Sequence, residues 1–286
     1  MLVFVFPGQG SQKKGMGAEL FDRFPQFTDI ESEIDQVLGF SVREVCVEDK
    51  EEQLGFTQFT QPCLYTVNAL HYYQALAAGR QPQATAGHSF GEYNALLAAG
   101  AFDFLTGLRM VQKRGELMSK AANGAMTAVI GLTPEQIAAV LKEEGLNGVD
   151  VANYNSPTQT VISGPPNEIA KAGPALKNTG ARMCIALAVS GAFHSRYMVE
   201  AAKEFDEFLK QFQFSTPKIP VIANVTAEPY ATDNVNDNVR SLLVRQISNS
   251  VQWTKSIQYL VDTGATEFEE VGPGKVLTKL IQQIRA

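Results

Sequence analysis

The chain has 286 residues, of which 45% are hydrophobic and 19% charged, so it can bury a full core and disorder is not expected. Its formal net charge of −6 excludes a general electrostatic attraction to nucleic acid or to an anionic membrane, so any anionic ligand must meet a local basic patch. We therefore expect one large domain, alone or with a smaller inserted one, and neither nucleic acid nor a membrane as a partner.

The N-terminal segment LVFVF (2–6) is a short apolar run followed by PGQG, which predicts a buried strand that enters a glycine-rich loop. The run is too short for a signal peptide or a membrane helix, so we expect a cytoplasmic protein. Cys46, Cys63 and Cys184 lack metal-ligand spacing, and the apolar surroundings of Cys46 and Cys184 predict buried, reduced thiols. No metal site is expected.

Helices are predicted after this strand. In QPCLYTVNALHYYQAL (61–76), apolar residues recur at helical spacing. The segment ATAG (84–87) then leads into Ser89, and EYNALLAAGAF (92–102) predicts the next helix. A strand, a sharp turn and a helix are the context in which an exposed nucleophile is found.

The pattern changes between residues 125 and 190. AMTAVIGL, VDVANYN, QTVISG and ARMCIALAV predict strands, and two helices are predicted between them. The first helix begins at a Thr133 cap, and the second is predicted to be interrupted at Gly173-Pro174. The order β-α-β-β-α-β is typical of a ferredoxin-like unit, so we expect an inserted subdomain over 124–191 and a discontinuous large domain over 1–123 and 192–286. The strand IPVIANV (219–225) and a helix around TKSIQYLVDTG return to the large domain.

The segment GHSFG (87–91) matches G-x-S-x-G, the nucleophile elbow. In such a turn the serine has a strained backbone, and the backbone N–H groups at the start of the following helix can stabilise an oxyanion. The motif by itself is also compatible with a pair of glycines that only pack a strand against a helix. Ser89 is therefore a candidate nucleophile that needs a base.

Three histidines could supply that base. His71 lies in a predicted helix and is expected in the core or at the surface. His88 is adjacent to Ser89 on a tight turn, so its ring should point away from the hydroxyl, and we expect a structural or pocket-lining role. His194 remains as the general base. No acid is singled out as its partner, and because more than ninety residues follow His194, a plain α/β-hydrolase arrangement is disfavoured.

Several motifs along the chain carry a resemblance to a known family. FPGQGSQ, FTQPCLYTVNAL, GHSFGEY, QKRGELM, NYNSPTQTVISG, GAFHSR, VQWTKSIQYL and VGPGKVL run from residue 6 to 277 in this order. The chain thereby resembles the malonyl-CoA:acyl carrier protein transacylases, and most of all the discrete acyltransferases that serve polyketide synthases in trans. The transacylase of fatty acid synthesis remains an alternative. The resemblance implies an α/β fold: a large α/β-hydrolase-like domain with a parallel-sheet core, and an inserted ferredoxin-like subdomain.

The resemblance also implies catalytic roles. Ser89 matches the nucleophile and His194 the base. The main-chain carbonyl of Gln246 is expected to orient the imidazole, which would explain why no acid stands out. The main-chain N–H groups of Gln9 and Phe90 are expected to form the oxyanion hole.

Substrate-binding residues follow from the same resemblance. Arg114, in QKRGEL, matches the arginine that binds the free carboxylate of malonate, and a guanidinium fork suits a carboxylate. Phe193, before His194, resembles malonyl-specific members in which a bulky ring leaves little room for an α-methyl group. His88 and Asn155 are expected to line the pocket, although Asn155 could equally serve only as a turn residue.

The implied reaction is a ping-pong transfer of malonyl from malonyl-CoA, through a malonyl-serine, to the phosphopantetheine thiol of an acyl carrier protein. No cofactor is expected to be bound, and a monomer is expected. Because both partners are anionic, a basic rim is needed, with candidates Lys113, Lys120, Lys275 and Lys279. Two alternatives stay open: an acyl-thioester serine hydrolase, which would not need Arg114, and a non-catalytic module that binds a carrier protein.

Overall fold

The computed structural model describes residues 1–121 and 123–286; residue 122, within the predicted range 1–123, lies outside them. The described strands form two four-stranded sheets. In chain order they are β1 (Leu2–Phe6), β2 (Ala84–Gly87), β3 (Ala125–Ile130), β4 (Asp150–Ser156), β5 (Gln159–Gly164), β6 (Met183–Ala186), β7 (Val221–Ile222) and β8 (Glu267–Glu270).

The first sheet is parallel and has the strand order β7-β2-β1-β8. The predicted parallel core is therefore confirmed. Phe4 and Phe6 of β1 pack into one apolar cluster and Val3 and Val5 into another, because successive side chains of a strand face opposite sides of the sheet. The edge strand β8 was not predicted, since its sequence EFEE is mostly charged.

The second sheet is antiparallel and has the strand order β4-β5-β3-β6. With one helix after β3 and one after β5, it has the predicted order β-α-β-β-α-β. All its strands lie between Ala125 and Ala186, which fits an inserted subdomain. The boundaries 1–123, 124–191 and 192–286 themselves remain a proposal.

The helices among the described residues are numbered in chain order. They are α1 (Pro25–Thr28), α2 (Glu31–Leu38), α3 (Val42–Val47), α4 (Thr57–Ala77), α5 (Gly91–Ala98), α6 (Phe104–Lys120), α7 (Pro134–Glu143), α8 (Pro166–Asn178), α9 (Val199–Leu209), α10 (Val235–Ser248), α11 (Trp253–Asp262) and α12 (Val276–Arg285).

Three sequence expectations need correction. Helix α8 continues through Gly173-Pro174, because the carbonyl of Ala170 that the proline leaves without a donor belongs to a solvent-exposed residue. Helix α5 ends at Ala98, before a left-handed glycine at position 100, and does not extend to 102. Strand β7 spans two residues instead of 219–225. The Thr133 capping box of α7 is confirmed.

The structure shows how far the cysteines are buried and whether a described helix could cross a membrane. Cys46 and Cys63 are buried free thiols, whereas Cys184 is only partly buried, because it lies on the edge strand β6. Among the residues that the structure describes, no helix combines the length and the apolar character needed to cross a membrane.

Candidate active site

Ser89 lies in a strained turn between β2 and α5. Its φ is +54°, a left-handed conformation that a residue with a side chain rarely adopts. The two glycines of GHSFG permit this turn. A Cβ at Gly87 would collide with the backbone of Gly91, and a Cβ at Gly91 would collide with the carbonyl oxygen of Phe6. The glycines therefore allow β1, β2 and the start of α5 to approach one another closely, as a nucleophile elbow requires.

His194 and Gln246 complete a chain of contacts that begins at Ser89. The Oγ atom of Ser89 lies 2.8 Å from Nε2 of His194, and Nδ1 of His194 lies 2.8 Å from the main-chain oxygen of Gln246. A carbonyl oxygen only accepts, so Nδ1 carries the proton and Nε2 is left to accept the Ser89 proton. His194 also has a positive φ, +57°. The structure thus brings all three predicted residues together.

The electrostatic surroundings keep His194 neutral. The residue is 4% exposed. Burial, and next the positive charge of Arg114, lowers the pKa of His194 to about 3. A neutral imidazole is the form that can take a proton, so the base is ready at neutral pH.

Arg114 lies in the protein interior beside the nucleophile. It is 0% exposed, and its Nη2 donates to Ser89 Oγ at 3.1 Å and to the Gln246 side-chain oxygen at 2.9 Å. Its Nη1 donates to Gln61 at 2.8 Å. The guanidinium therefore points at the Ser89 hydroxyl oxygen from the side of the protein core. A Lys-Arg dipeptide on a helix would suggest two charges at the surface, but Arg114 is buried.

A small cavity of about 170 Å³ opens over the Ser89 hydroxyl. Its wall includes five of the predicted residues: Gln9, His88, Ser89, Phe193 and His194. Sequence reasoning did not identify the other wall residues that matter most, which are Gln61, Met118, Met126, Asn153, Leu187 and Val189. Gln61 could have been noticed as a polar residue within the FTQPC motif, whereas Met126 of β3 and Leu187, directly after β6, meet the site only in the fold.

The proposed oxyanion donors are available. Within the described residues, neither the N–H of Gln9 nor that of Phe90 has an acceptor. The two residues follow the carboxyl ends of the adjacent strands β1 and β2, which is the edge where parallel sheets bind ligands. The Gln9 side chain is itself held by Thr57 at 3.2 Å.

Two of the residues expected to bind substrate, Asn155 and Arg114, are not part of the cavity wall among the described residues. Asn155 is outside the cavity wall; its side-chain oxygen contacts His88 Nε2 at 2.8 Å, and Asn153, two residues earlier, lines the cavity instead. His88 packs against the Trp253 ring, and burial lowers its pKa. The four lysines proposed for a basic rim, Lys113, Lys120, Lys275 and Lys279, are not part of this wall among the described residues, so the rim stays a prediction.

A second group of buried polar residues adjoins the site, and sequence analysis gave it no role. Glu92 is 1% exposed, and its carboxylate accepts from the Tyr230 hydroxyl at 2.6 Å, from the Asn224 N–H at 3.2 Å and from the Gln246 amide. Burial raises the pKa of Glu92 to about 7. The signal in the sequence was a carboxylate one helical turn after Ser89, in a segment that is otherwise almost free of charge.

The described residues contain no group of three His, Cys, Asp or Glu side chains that could hold a metal ion. What the arrangement offers is a serine, a base oriented by a main-chain carbonyl, two main-chain donors and a buried guanidinium. Such a set suits acyl transfer from a substrate that carries a negative charge.

Comparisons with known proteins point to one family. A model of the family described as "Acyl transferase domain" matches residues 3–285. The chain is 54% identical to the polyketide biosynthesis malonyl CoA-acyl carrier protein transacylase PksC of Bacillus subtilis (strain 168), over 100% of this chain and 97% of that protein.

Solved structures share the fold over almost the whole chain. The malonyl CoA-acyl carrier protein transacylase from Burkholderia pseudomallei superposes with a TM-score of 0.94 at 48% identity, over 100% of this chain and 98% of the other. The malonyl-transacylase PlMCAT, in complex with the type II PKS acyl-carrier protein AntF, gives a TM-score of 0.91 at 37% identity, over 99% of this chain and 92% of the other.

Proposed function

The chain belongs to the acyl transferase family and resembles its malonyl-CoA:acyl carrier protein transacylases over its full length, and we propose that it transfers malonyl groups to the carrier proteins of a polyketide synthase. The observation that carries the proposal is the position of Arg114. A buried guanidinium lies 3.1 Å from the Ser89 hydroxyl, which itself lies 2.8 Å from His194, and this geometry supports a carboxylate-binding role for Arg114 beside a nucleophilic Ser89. A malonyl ester on Ser89 would extend its free carboxylate to this cation.

In the first half-reaction, His194 Nε2 takes the Ser89 proton and the serine oxygen attacks the thioester carbon of malonyl-CoA. The N–H groups of Gln9 and Phe90 stabilise the oxyanion of the tetrahedral intermediate. The imidazolium keeps its Nδ1 proton, which is hydrogen-bonded to the Gln246 carbonyl. It gives its Nε2 proton to the departing CoA thiolate. The products are malonyl-Ser89 and CoA.

In the second half-reaction, the thiol of a phosphopantetheine arm enters the same cavity. His194 takes the thiol proton, the sulfur attacks the malonyl ester, and the proton returns to Ser89 as the serine leaves. The carrier protein brings the phosphopantetheine, so the enzyme itself needs no bound cofactor. The relative in complex with an acyl-carrier protein supports this choice of partner.

Arg114 selects the acyl group. The cavity is lined by Met118, Met126, Leu187, Val189 and Phe193, so a carboxylate that enters it loses water and needs an opposite charge. The guanidinium fork supplies that charge with directed donors, whereas an acetyl group gains nothing from it. The Phe193 ring narrows the cavity beside the base, which favours malonyl over an α-methylated acyl group.

The setting of the reaction follows from the same proposal. The 54% identical relative is named for polyketide biosynthesis, and this supports a polyketide synthase over fatty acid synthesis as the destination of the malonyl group. The free thiols of Cys46, Cys63 and Cys184 fit the reducing cytoplasm, which stays the expected compartment. A monomer also stays the expected state.

Intact-protein mass spectrometry after a brief pulse of malonyl-CoA tests the proposal. We expect a malonyl adduct on the protein, a much weaker adduct with acetyl-CoA, and no adduct on Ser89→Ala. Ser119→Ala is the matched control, because its hydroxyl donates to the Glu116 carbonyl on α6 and is outside the cavity wall. We expect this variant to be acylated like the wild type.

The same experiment distinguishes the alternatives. Free malonate that accumulates without a persistent adduct would indicate that water hydrolyses the malonyl-serine, and the serine hydrolase would replace our proposal. If neither adduct nor malonate forms, both enzyme functions are wrong and a module that binds carrier proteins without catalysis remains. Addition of a phosphopantetheinylated carrier protein should discharge the adduct and move the malonyl mass to the carrier.

A further inference from the structure

The strained backbone of Ser89 is held from both sides by side-chain amides. Its N–H donates to the side-chain oxygen of Asn224 at 2.7 Å, and its carbonyl accepts from the side-chain nitrogen of Gln246 at 2.9 Å. Asn224 also donates to the Gly87 carbonyl at 2.6 Å, at the end of strand β2. Two amides from distant parts of the chain thus hold both peptide groups of a residue whose φ is unfavourable.

Both Asn224 and Gln246 donate hydrogen bonds to Glu92. The Glu92 carboxylate accepts from the main-chain N–H of Asn224 at 3.2 Å and from the side-chain amide of Gln246. The Tyr230 hydroxyl donates to the same carboxylate at 2.6 Å. Three donors converge on one buried acid, and only the ionised form can accept from all of them without presenting an O–H of its own.

Glu92 also decides which way the Gln246 amide faces. Because a carboxylate accepts, Gln246 must direct its NH2 group to Glu92 and to the Ser89 carbonyl. Its oxygen is then the atom that accepts from Arg114, at 2.9 Å. With the amide reversed, an NH2 group would face the guanidinium donors, and Arg114 would lose the contact that holds Nη2 beside the Ser89 hydroxyl.

We propose that Glu92 is a positioning residue for acyl transfer, which, through Asn224 and Gln246, fixes both the strained Ser89 backbone and the orientation of Arg114. The proposal deepens the proposed function and rests on it for the role of Arg114. The main-chain N–H of Glu92 donates to the Ser89 carbonyl at 3.0 Å, but its carboxylate has no hydrogen bond to Ser89 and does not line the cavity, so the side chain acts only through its neighbours.

The titratable groups around Glu92 suggest a readout that a merely structural residue would not move. Arg114 of α6 and the phenols of Tyr93 and Tyr230 face it. Burial raises the pKa of both phenols, so neither phenol titrates near neutrality, and although burial lowers the pKa of Arg114, a guanidinium stays charged in proteins. The pKa of Glu92 is about 7, and that of His194 is about 3. A change in acylation rate near pH 7 would therefore report the ionisation of Glu92, with the faster form above that pH.

The test is single-turnover acylation by malonyl-CoA, followed by intact mass, over about one and a half pH units on either side of 7. We expect Glu92→Gln to be acylated about 100-fold more slowly than the wild type, as for a misplaced reacting group, and to lose the inflection near pH 7. Tyr230→Phe, which removes one donor, should keep the inflection but move it to higher pH, because the Tyr230 hydrogen bond lowers the pKa of Glu92.

Glu270→Gln is the matched control for the loss of a carboxylate. The Glu270 carboxylate also accepts from three donors, the N–H groups of Leu277 and Thr278 and the Thr278 hydroxyl, and it has no contact with Ser89, His194 or Arg114. We expect it to lower thermal stability while the acylation rate and the inflection stay as in the wild type. Circular dichroism establishes that each variant is folded at the assay temperature.

A fluorophosphonate separates this inference from the proposed function, because it labels an activated serine without a carboxylate ligand. If the wild type reacts with the fluorophosphonate but forms no malonyl adduct, the proposed function fails. The rate at which the fluorophosphonate labels Glu92→Gln, compared with the wild type, still tests the positioning of Ser89. Folded Glu92→Gln that is labelled and acylated at the wild-type rate, or that retains the inflection, would overturn the inference. If Glu92→Gln does not fold, an unmoved inflection in Tyr230→Phe overturns it.

Discussion

Arg114 donates a hydrogen bond to the hydroxyl oxygen of Ser89 across 3.1 Å, so the proposed substrate-binding group and the proposed nucleophile are in direct contact before any substrate arrives. The same guanidinium lowers the pKa of His194. A carboxylate that binds Arg114 offsets this positive charge and makes the imidazole a better base. Recognition of the acid and activation of the base are therefore coupled through one buried cation.

Replacement of Arg114 should change which acyl group is accepted. We expect Arg114→Ala to lower acylation by malonyl-CoA by about 100-fold or more, because charge-assisted hydrogen bonds contribute about 1.5–3 kcal/mol each. Acylation by acetyl-CoA should be unchanged or faster. Adduct formation from each thioester measures the ratio. Arg109→Ala, on the same helix but exposed and 3.9 Å from Glu33, is the control; an equal loss in both variants would contradict the prediction.

The buried base should link stability to pH. His194 has a folded pKa of about 3 and an ordinary value of 6.5, so only the unfolded chain takes up a proton between these values. The stability that the neutral ring contributes is present above pH 6.5 and is lost as the pH falls towards 3.

His194→Gln lacks this titration. The difference in free energy of unfolding between wild type and variant should therefore fall by up to about 1.4 kcal/mol for each pH unit below 6.5. Urea denaturation of both proteins at several pH values measures it, and other groups cancel in the difference. A difference that does not vary with pH would show that His194 is not held neutral.

Phe193 should restrict the α-carbon of the acyl group. We expect Phe193→Ala to raise the rate of methylmalonyl-CoA acylation relative to malonyl-CoA by about tenfold, which is the scale of one methyl group in an apolar pocket. Competition between the two thioesters, resolved by adduct mass, gives the ratio directly. Phe193→Leu is the conservative control and should change the ratio less. An unchanged ratio in the alanine variant would mean that other wall residues set this selectivity.

The glycine after the nucleophile should be indispensable for packing. A Cβ at Gly91 would collide with the carbonyl oxygen of Phe6, so we expect Gly91→Ala to destabilise the fold by about 1–3 kcal/mol. Gly55→Ala is the matched control, because its Cβ would meet no atom within 4 Å, and its effect should stay within about 0.5 kcal/mol. Chemical denaturation compares the two, and equal effects would contradict the steric argument.

Local patterns determined much of this protein. Apolar runs and glycine turns predicted β1, β2 and the antiparallel unit, because strand formation and capping depend on neighbouring residues. The G-x-S-x-G turn and the presence of only three histidines made Ser89 and His194 the candidates for nucleophile and base. The family motifs then extended the candidate set to Gln9, Phe90, Arg114 and Gln246, which the fold brings to one edge of the parallel sheet.

Only the tertiary structure decided how these residues contact one another. Nothing in the sequence near Glu92 indicates that Tyr230, Asn224 and Gln246 converge on it, since these partners lie more than 130 residues along the chain. The charged strand β8 is likewise placed by pairing with β1 and not by its own pattern. Burial turned Arg114 from an apparent surface charge into an interior cation, because desolvation and the choice of partners depend on long-range packing that no local segment encodes.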